Sequence, residues 1–157
     1  MSLFRSQQKA LKHVPAPIAD SPDPPASIKN GGLPIRVVIA MSAELERMGW
    51  GIIVSNQPDM QLIAQAASCS EVLSVLKVHH PHVTLIDETI LDNSLSEDLR
   101  ECSSQSNLTR FILVAPHELD YSRKQPKYAF THAYLLKGVS ATELLYTIRS
   151  AASETRP

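Results

Sequence analysis

His82-Val83-Thr84-Leu85-Ile86-Asp87-Glu88 is a short run of β-branched and aliphatic residues that ends on a carboxylate. Its length and composition predict a strand buried on both faces, of the kind found inside a parallel sheet. Asp87 then stands at the carboxyl edge of that strand. In open α/β sheets, ligands and chemistry gather at this edge, near the point where strand order reverses. Function therefore turns on what surrounds Asp87.

Strands and helices alternate on either side of this run. Upstream, Ile35 to Ala40 reads as a first strand, and a helix follows from about Ala43 to Asn56 with Ser42 as its N-cap. Pro58-Asp59 turns the chain into a second strand, Met60 to Ala66. Ser68-Cys69-Ser70-Glu71 has capping-box spacing and opens a helix to about His79. Downstream, Ser94-Leu95-Ser96-Glu97 repeats that spacing and predicts a helix to about Cys102. Arg110 to Val114 is the fourth strand.

The alternation next calls for a helix over Glu118 to Phe130. Pro126 lies inside it, removes a backbone donor and clashes one turn back, so a short or broken helix is expected. Ala133 to Leu136 is the fifth strand. Ser140-Ala141-Thr142-Glu143 caps a last helix carrying Leu144, Leu145, Ile148, Ala151 and Ala152. Five strands alternating with about five helices predict a doubly wound parallel sheet.

A chain of 157 residues suits one domain with a real core. Its 15 Lys and Arg nearly balance its 16 Asp and Glu, which argues against a nucleic-acid footprint or a polybasic membrane patch. Cys69 and Cys102 are too few and too unpatterned for a disulfide framework or a metal site, and are expected as reduced thiols. No apolar stretch approaches the roughly 20 residues that span a bilayer, and the N-terminus lacks an unbroken apolar signal segment. A cytoplasmic protein is expected.

Residues 1–34 differ from the rest: six of the eleven prolines and Gly31-Gly32 fall there without apolar periodicity. Such a stretch buries too little to offset its ordering entropy, so a disordered arm is expected, followed by a domain over 35–153 and a tail over 154–157. Leu3 to His13, with Arg5, Lys9 and Lys12, is either an inert tail or a short basic helix that forms on a partner or an anionic surface.

From Ile35 to about Ser153 the chain resembles the receiver domains of two-component response regulators, closest to those that precede helix-turn-helix output domains. The resemblance rests on Ile35-Arg36-Val37-Val38-Ile39-Ala40, on the run ending at Asp87, and on Ala133-Tyr134-Leu135-Leu136-Lys137-Gly138-Val139-Ser140. It implies a flavodoxin-like fold with strand order 2-1-3-4-5. It also implies that Asp87 holds the phosphoacceptor position, that Lys137 is the lysine that meets phosphoryl oxygens, and that Tyr134 is the switch aromatic.

Three other positions depart from that pattern. The acidic pair that binds Mg²⁺ is replaced by Met41-Ser42, and a thioether and a hydroxyl cannot stand in for two hard carboxylates. The Thr or Ser ending the fourth strand is Ala115, followed by Pro116. The proline expected after the acceptor is Leu91. Either Glu88 or Asp92 bends inward to rebuild a metal site, or Asp87 pairs with Lys137 as a fixed ion pair and the domain is a pseudo-receiver. Glu88 directly follows the strand end and is expected to point away from Asp87.

Weaker features are His79, His80 and His82 around Pro81, which read as a solvated turn rather than a metal site, and Arg123, Lys124 and Lys127, which read as a solvated face. In the first helix Leu45, Met48 and Ile52 share one face while Trp50, Ile53 and Val54 populate another, an arc wider than one side of a sheet requires. Either all pack in the core, or part of the arc is a docking face or homodimer seam. Gly49 and Gly51 each cost about 1 kcal/mol in a helix interior, which suggests a close approach or a bend.

These readings converge on a stand-alone degenerate receiver, not an enzyme and without a cofactor. It is expected to act in signal transduction through a protein partner or homodimer, with no nucleic acid or membrane bound by this chain. The alternatives are a phosphoaspartate-accepting receiver that uses Mg²⁺, and the receiver fragment of a DNA-binding transcriptional regulator. A nucleotide or flavin enzyme on this fold is disfavoured, because none of the five glycines forms a phosphate-cradling loop.

Overall fold

The structure, a computed structural model, describes residues 32–106, 109–116 and 128–154. The chain divides after Leu33, and the unit beginning at Pro34 carries the sheet. Its elements are β1 (Ile35–Ala40), α1 (Glu44–Ser55), β2 (Met60–Ala66), α2 (Cys69–His79), β3 (Val83–Asp87), a 3₁₀ turn (Glu88–Ile90), α3 (Asn93–Ser106), β4 (Arg110–Ala115), β5 (Ala133–Leu136) and α4 (Ala141–Ser153). The five strands pair in parallel in the order β2-β1-β3-β4-β5. This is the doubly wound flavodoxin-like order. Residues 118–127 of the region expected as a broken helix, with Arg123, Lys124 and Lys127, and residues 1–31 of the N-terminal arm, with its basic stretch, lie outside the described residues.

Strand parity sorts the core into two layers. Ile35, Val37 and Ile39 of β1, Val83 and Leu85 of β3, and Ile112 and Val114 of β4 face one side, where Val54 of α1 and Leu144, Leu145 and Ile148 of α4 cover them. Ala40, Ile86, Phe111 and Leu113 face the other side with Val72 and Leu76 of α2 and Leu95 and Leu99 of α3. All five residues of β3 are buried, as a central parallel strand requires.

Two histidines stand just before strands and extend the pairing with their rings. His82 takes the Arg36 N–H on Nδ1 at 3.0 Å while its own N–H donates to the Arg36 carbonyl. His132 repeats the arrangement with Phe111. The strand predicted from His82 therefore starts at Val83. The neighbouring His79 and His80 carbonyls accept from the Arg36 guanidinium.

Helix starts follow the capping reading in two places and depart from it in two. Ser68 Oγ accepts the Glu71 N–H, while the Glu71 carboxylate reaches back to the Ala67 N–H at 2.6 Å. Ser140 Oγ accepts the Glu143 N–H at 3.1 Å. Ser42, by contrast, caps nothing: Ala43 holds the N-cap position of α1 without a side-chain bond, and the Ser42 hydroxyl meets that of Thr89 at 3.3 Å. Ser94 is displaced by Asp92, whose Oδ1 accepts the Leu95 N–H at 2.8 Å and starts α3 two residues early. A carboxylate outdoes a hydroxyl as acceptor for the free amides of a helix start. The helix then runs to Ser106 rather than Cys102.

Helix α1 splits its wide apolar arc. Val54 is buried and Trp50 and Ile53 pack against the core, but Leu45, Met48 and Ile52 remain 83%, 48% and 60% exposed. The reading that all six pack inside fails for these three, because the sheet can cover only one side of the helix. The close approach expected at the glycines exists at Gly51 alone, where a Cβ would lie 2.8 Å from Gln65 Nε2 and 3.2 Å from Leu62 Cδ2. No helix among the described residues is long and apolar enough to cross a membrane.

Candidate functional site

Asp87 continues the parity of Val83 and Leu85, so its side chain falls on the face covered by α1 and α4. It is fully buried. One carboxylate oxygen, Oδ1, accepts the Thr89 N–H at 3.0 Å, a local turn that orients the group. The other, Oδ2, lies 2.8 Å from Lys137 Nζ. That contact is an ion pair off the hydrogen-bond axis, since Oδ2 has no aligned donor. The sequence-predicted pairing of Asp87 with Lys137 is thus present.

Lys137 leaves the sheet one residue beyond β5, anchored by its N–H to the Ala115 carbonyl at 2.9 Å. Its ammonium also donates to Glu46 Oε1 at 3.0 Å. Burial alone would lower this lysine's pKa, but its close contacts with the Asp87 and Glu46 carboxylates, and the charges those carry, outweigh it and hold it above the ordinary value. One cation therefore serves two carboxylates. Sequence reasoning missed Glu46. The available signal was its place one helical turn after Ser42, on the turn of α1 that overhangs the carboxyl edge.

The positions that depart from the receiver pattern are filled in other ways. Met41 is fully buried and joins the cluster of Ile35, Val37 and Ile39. Its carbonyl accepts from Arg47 Nη1 at 2.7 Å, which sets a guanidinium beside the junction of β1 and α1. Ser42 is exposed and bonded to Thr89. Ala115 is buried and Pro116 exposed, so β4 ends without a hydroxyl. Leu91 packs against the second cluster, as does the half-buried Tyr134.

Neither carboxylate considered for rebuilding a metal site is used that way here. Glu88 accepts from the Tyr128 hydroxyl at 2.6 Å, a partner that sequence reasoning also missed. Asp92 caps α3 and lies 3.7 Å from the Cys69 thiol. Among the described residues, no group of three or more His, Cys, Asp or Glu is arranged to hold a metal ion. Burial raises both thiols, assisted by Asp92 at Cys69 and by Asp98 and Glu101 at Cys102.

Comparison with known proteins bears on the fold. No family model matches the chain. It is 26% identical over 118 residues to the transcriptional regulatory protein YxjL of Bacillus subtilis, a match covering 75% of this chain and 54% of that protein. The chain thus spans about half the length of this curated relative. The signal receiver domain of the response regulator NarL from Mycobacterium tuberculosis superposes with a TM-score of 0.66 at 21% identity, over 77% of this chain and 98% of that one. The response regulator domain of Thermotoga maritima CheB gives 0.65 at 24% identity, over 76% and 97%. A DNA-binding response regulator of the LuxR family from Staphylococcus aureus gives 0.63 at 19% identity, over 75% and 98%. Sheet order, strand parity and these superpositions together establish that the chain has the response-regulator receiver fold.

Proposed function

We propose that this chain is a receiver module of two-component signalling that works by protein contact and without a phosphorylation cycle. The observation that carries the reading is the double engagement of Lys137. Its ammonium, the charge that would meet phosphoryl oxygens, is already shared between Asp87 and Glu46. Phosphoryl transfer to an aspartate also relies on a divalent cation to neutralise developing charge. The donors here do not fit magnesium, which wants hard oxygens in octahedral array. Met41 offers a buried thioether, Ser42 is bonded to Thr89, both oxygens of Asp87 are engaged, and Arg47 brings positive charge to the Met41 carbonyl.

The test is incubation of the chain with beryllofluoride and Mg²⁺ while following the Thr89 and Lys137 amides by NMR, alongside intact mass after acetyl phosphate. The reading expects no saturable shifts and no added phosphoryl mass. Saturable shifts at both amides, or phosphorylation lost in Asp87→Asn, would overturn it.

The match to YxjL favours a second reading, a receiver that regulates transcription through a DNA-binding partner or segment. A reading frame continuing past Pro157 into a helix-turn-helix pattern supports the segment; a stop codon there removes the segment and leaves a separate DNA-binding partner, which retention of the chain on promoter DNA only in that partner's presence would support.

A further inference from the structure

We infer that the amino edge of the sheet is an acid-sensitive joint, closed by two imidazole rings at neutral pH and opened when those rings take up protons. The inference rests on the proposed mode of action, since a receiver without a phosphorylation cycle needs another input, and names that input as the proton.

His82 stands just before β3 and His132 just before β5, and each ring stands in for a backbone carbonyl. The Arg36 N–H donates to His82 Nδ1 and the Phe111 N–H to His132 Nδ1, both at 3.0 Å. In return the His82 and His132 N–H groups donate to the Arg36 and Phe111 carbonyls at 2.9 and 2.8 Å. The rings therefore close the β1–β3 and β4–β5 pairings where each begins. Nδ1 accepts only when it carries no proton, so the neutral form of both rings has its proton on Nε2. An imidazolium has two donors and no acceptor. Protonation sets N–H against N–H, and at the fully buried Phe111 the amide is left without a partner.

The charged and titratable groups on the described elements that meet at His82 are Arg36 of β1, Lys77, His79 and His80 at the end of α2, and Arg110 of β4. The Arg36 guanidinium lies on the His79 and His80 carbonyls at 2.6 and 2.8 Å. Beside His132, whose ring stacks on Phe111, Arg110 reaches across to the carbonyl of Glu154 at the end of α4. Asp59, before β2, is taken up by Arg149. The two guanidinium groups thus add positive charge next to the backbone partners of both rings.

Opening reaches the candidate site through β5. That strand is four residues long, with His132 holding its start and Lys137 leaving its end. Slack at the ring is passed on to the ammonium shared by Asp87 and Glu46. The unfolded chain binds these protons freely near the ordinary imidazole value of about 6.5, whereas the folded chain must give up the bonds to do so. The joint is therefore tight above that value and loosens as pH falls below it.

Urea unfolding of the full chain from about pH 8 to about pH 5.5 is the test, with His82→Asn, His132→Asn and the double variant. Asparagine keeps a side-chain oxygen near the Nδ1 position and takes up no proton. Over this range the unfolding constant of the native chain should rise at least about tenfold more than that of the double variant, with each single variant between them. Nitrogen NMR of the imidazole rings in the native chain is the second measurement. It should show proton uptake in step with faster amide exchange at Phe111 and Lys137. An equal rise in the native chain and the double variant would overturn the inference, as would rings that protonate while either amide stays protected. A chain that shows no acid opening and takes no phosphoryl group sinks this inference and spares the proposed function; acid opening in a chain that is phosphorylated at Asp87 does the reverse.

Discussion

Glu46 and Lys137 are 91 residues apart in sequence, yet Glu46 Oε1 and Lys137 Nζ meet at 3.0 Å over the buried carboxylate of Asp87. The contact fastens the first helix to the exit of the last strand. Its two halves differ in worth, because Asp87 is wholly buried whereas the Glu46 side chain is 41% exposed.

Substitutions at the three residues should therefore rank in a fixed order. Lys137→Met leaves a carboxylate buried beside no cation and is expected to cost about 3 kcal/mol. Glu46→Gln removes a solvent-screened partner and is expected to cost about 0.5 kcal/mol. Asp87→Asn keeps a side-chain oxygen for the Thr89 N–H and should fall between them. Urea unfolding of the three variants measures the order, and a Glu46→Gln loss equal to that of Lys137→Met would contradict it.

The raised pKa of Lys137 gives this stabilisation a pH window. A lysine held above its unfolded value contributes fully below that value, about 10.4, and its contribution disappears as pH climbs through the folded value. The stability difference between the native chain and Lys137→Met should thus be flat through neutral pH and shrink on the alkaline side. Denaturant titrations in steps from neutral to strongly alkaline pH check this; a difference that widened upward would reverse the sign.

A second buried carboxylate makes a prediction away from the candidate site. Asp59 is buried and receives a two-pronged bond from Arg149 of α4, Nε to Oδ2 at 2.7 Å and Nη2 to Oδ1 at 2.9 Å, while Nη2 also reaches Gln57. Arg149→Met should cost about 3 kcal/mol by stranding Asp59. Arg149→Lys should recover only part of this, since a point charge cannot reproduce the planar fork. Thermal unfolding of the two variants distinguishes lost charge from lost geometry.

The two helix glycines should respond differently to the same methyl group. Gly49→Ala has open space around its Cβ and is expected to stabilise the fold by about 1 kcal/mol. Gly51→Ala must shift the Gln65 amide and crowd Leu62, so its gain should be smaller or absent. Denaturation midpoints of the two variants are the comparison to make.

Much of the fold was legible because its signals are local. The apolar run ending at Asp87, the Ser68 and Ser140 caps and the exit at Lys137 each declare themselves within a few residues. Capping was ambiguous where acceptors crowd together: Asp92, Ser94 and Ser96 all precede or enter α3, and only the backbone path decides that Asp92 takes the amide and Ser96 is buried. Met41 could have been placed from parity alone, since it continues the inward series of Ile35, Val37 and Ile39. Glu46 offered only its place one turn after Ser42, and the contacts it, Tyr128 and the ring acceptors of His82 and His132 make could not be read locally. Each depends on a neighbour brought close by strand order rather than by sequence.

The orientation of Asp87 also bears on the frame around it. With Oδ1 accepting the Thr89 amide and Oδ2 facing the Lys137 ammonium, the fully buried carboxylate is held at both of its oxygens from within the domain. The acid thereby behaves as a rivet, joining the end of β3 to the turn that follows it and to the exit of β5.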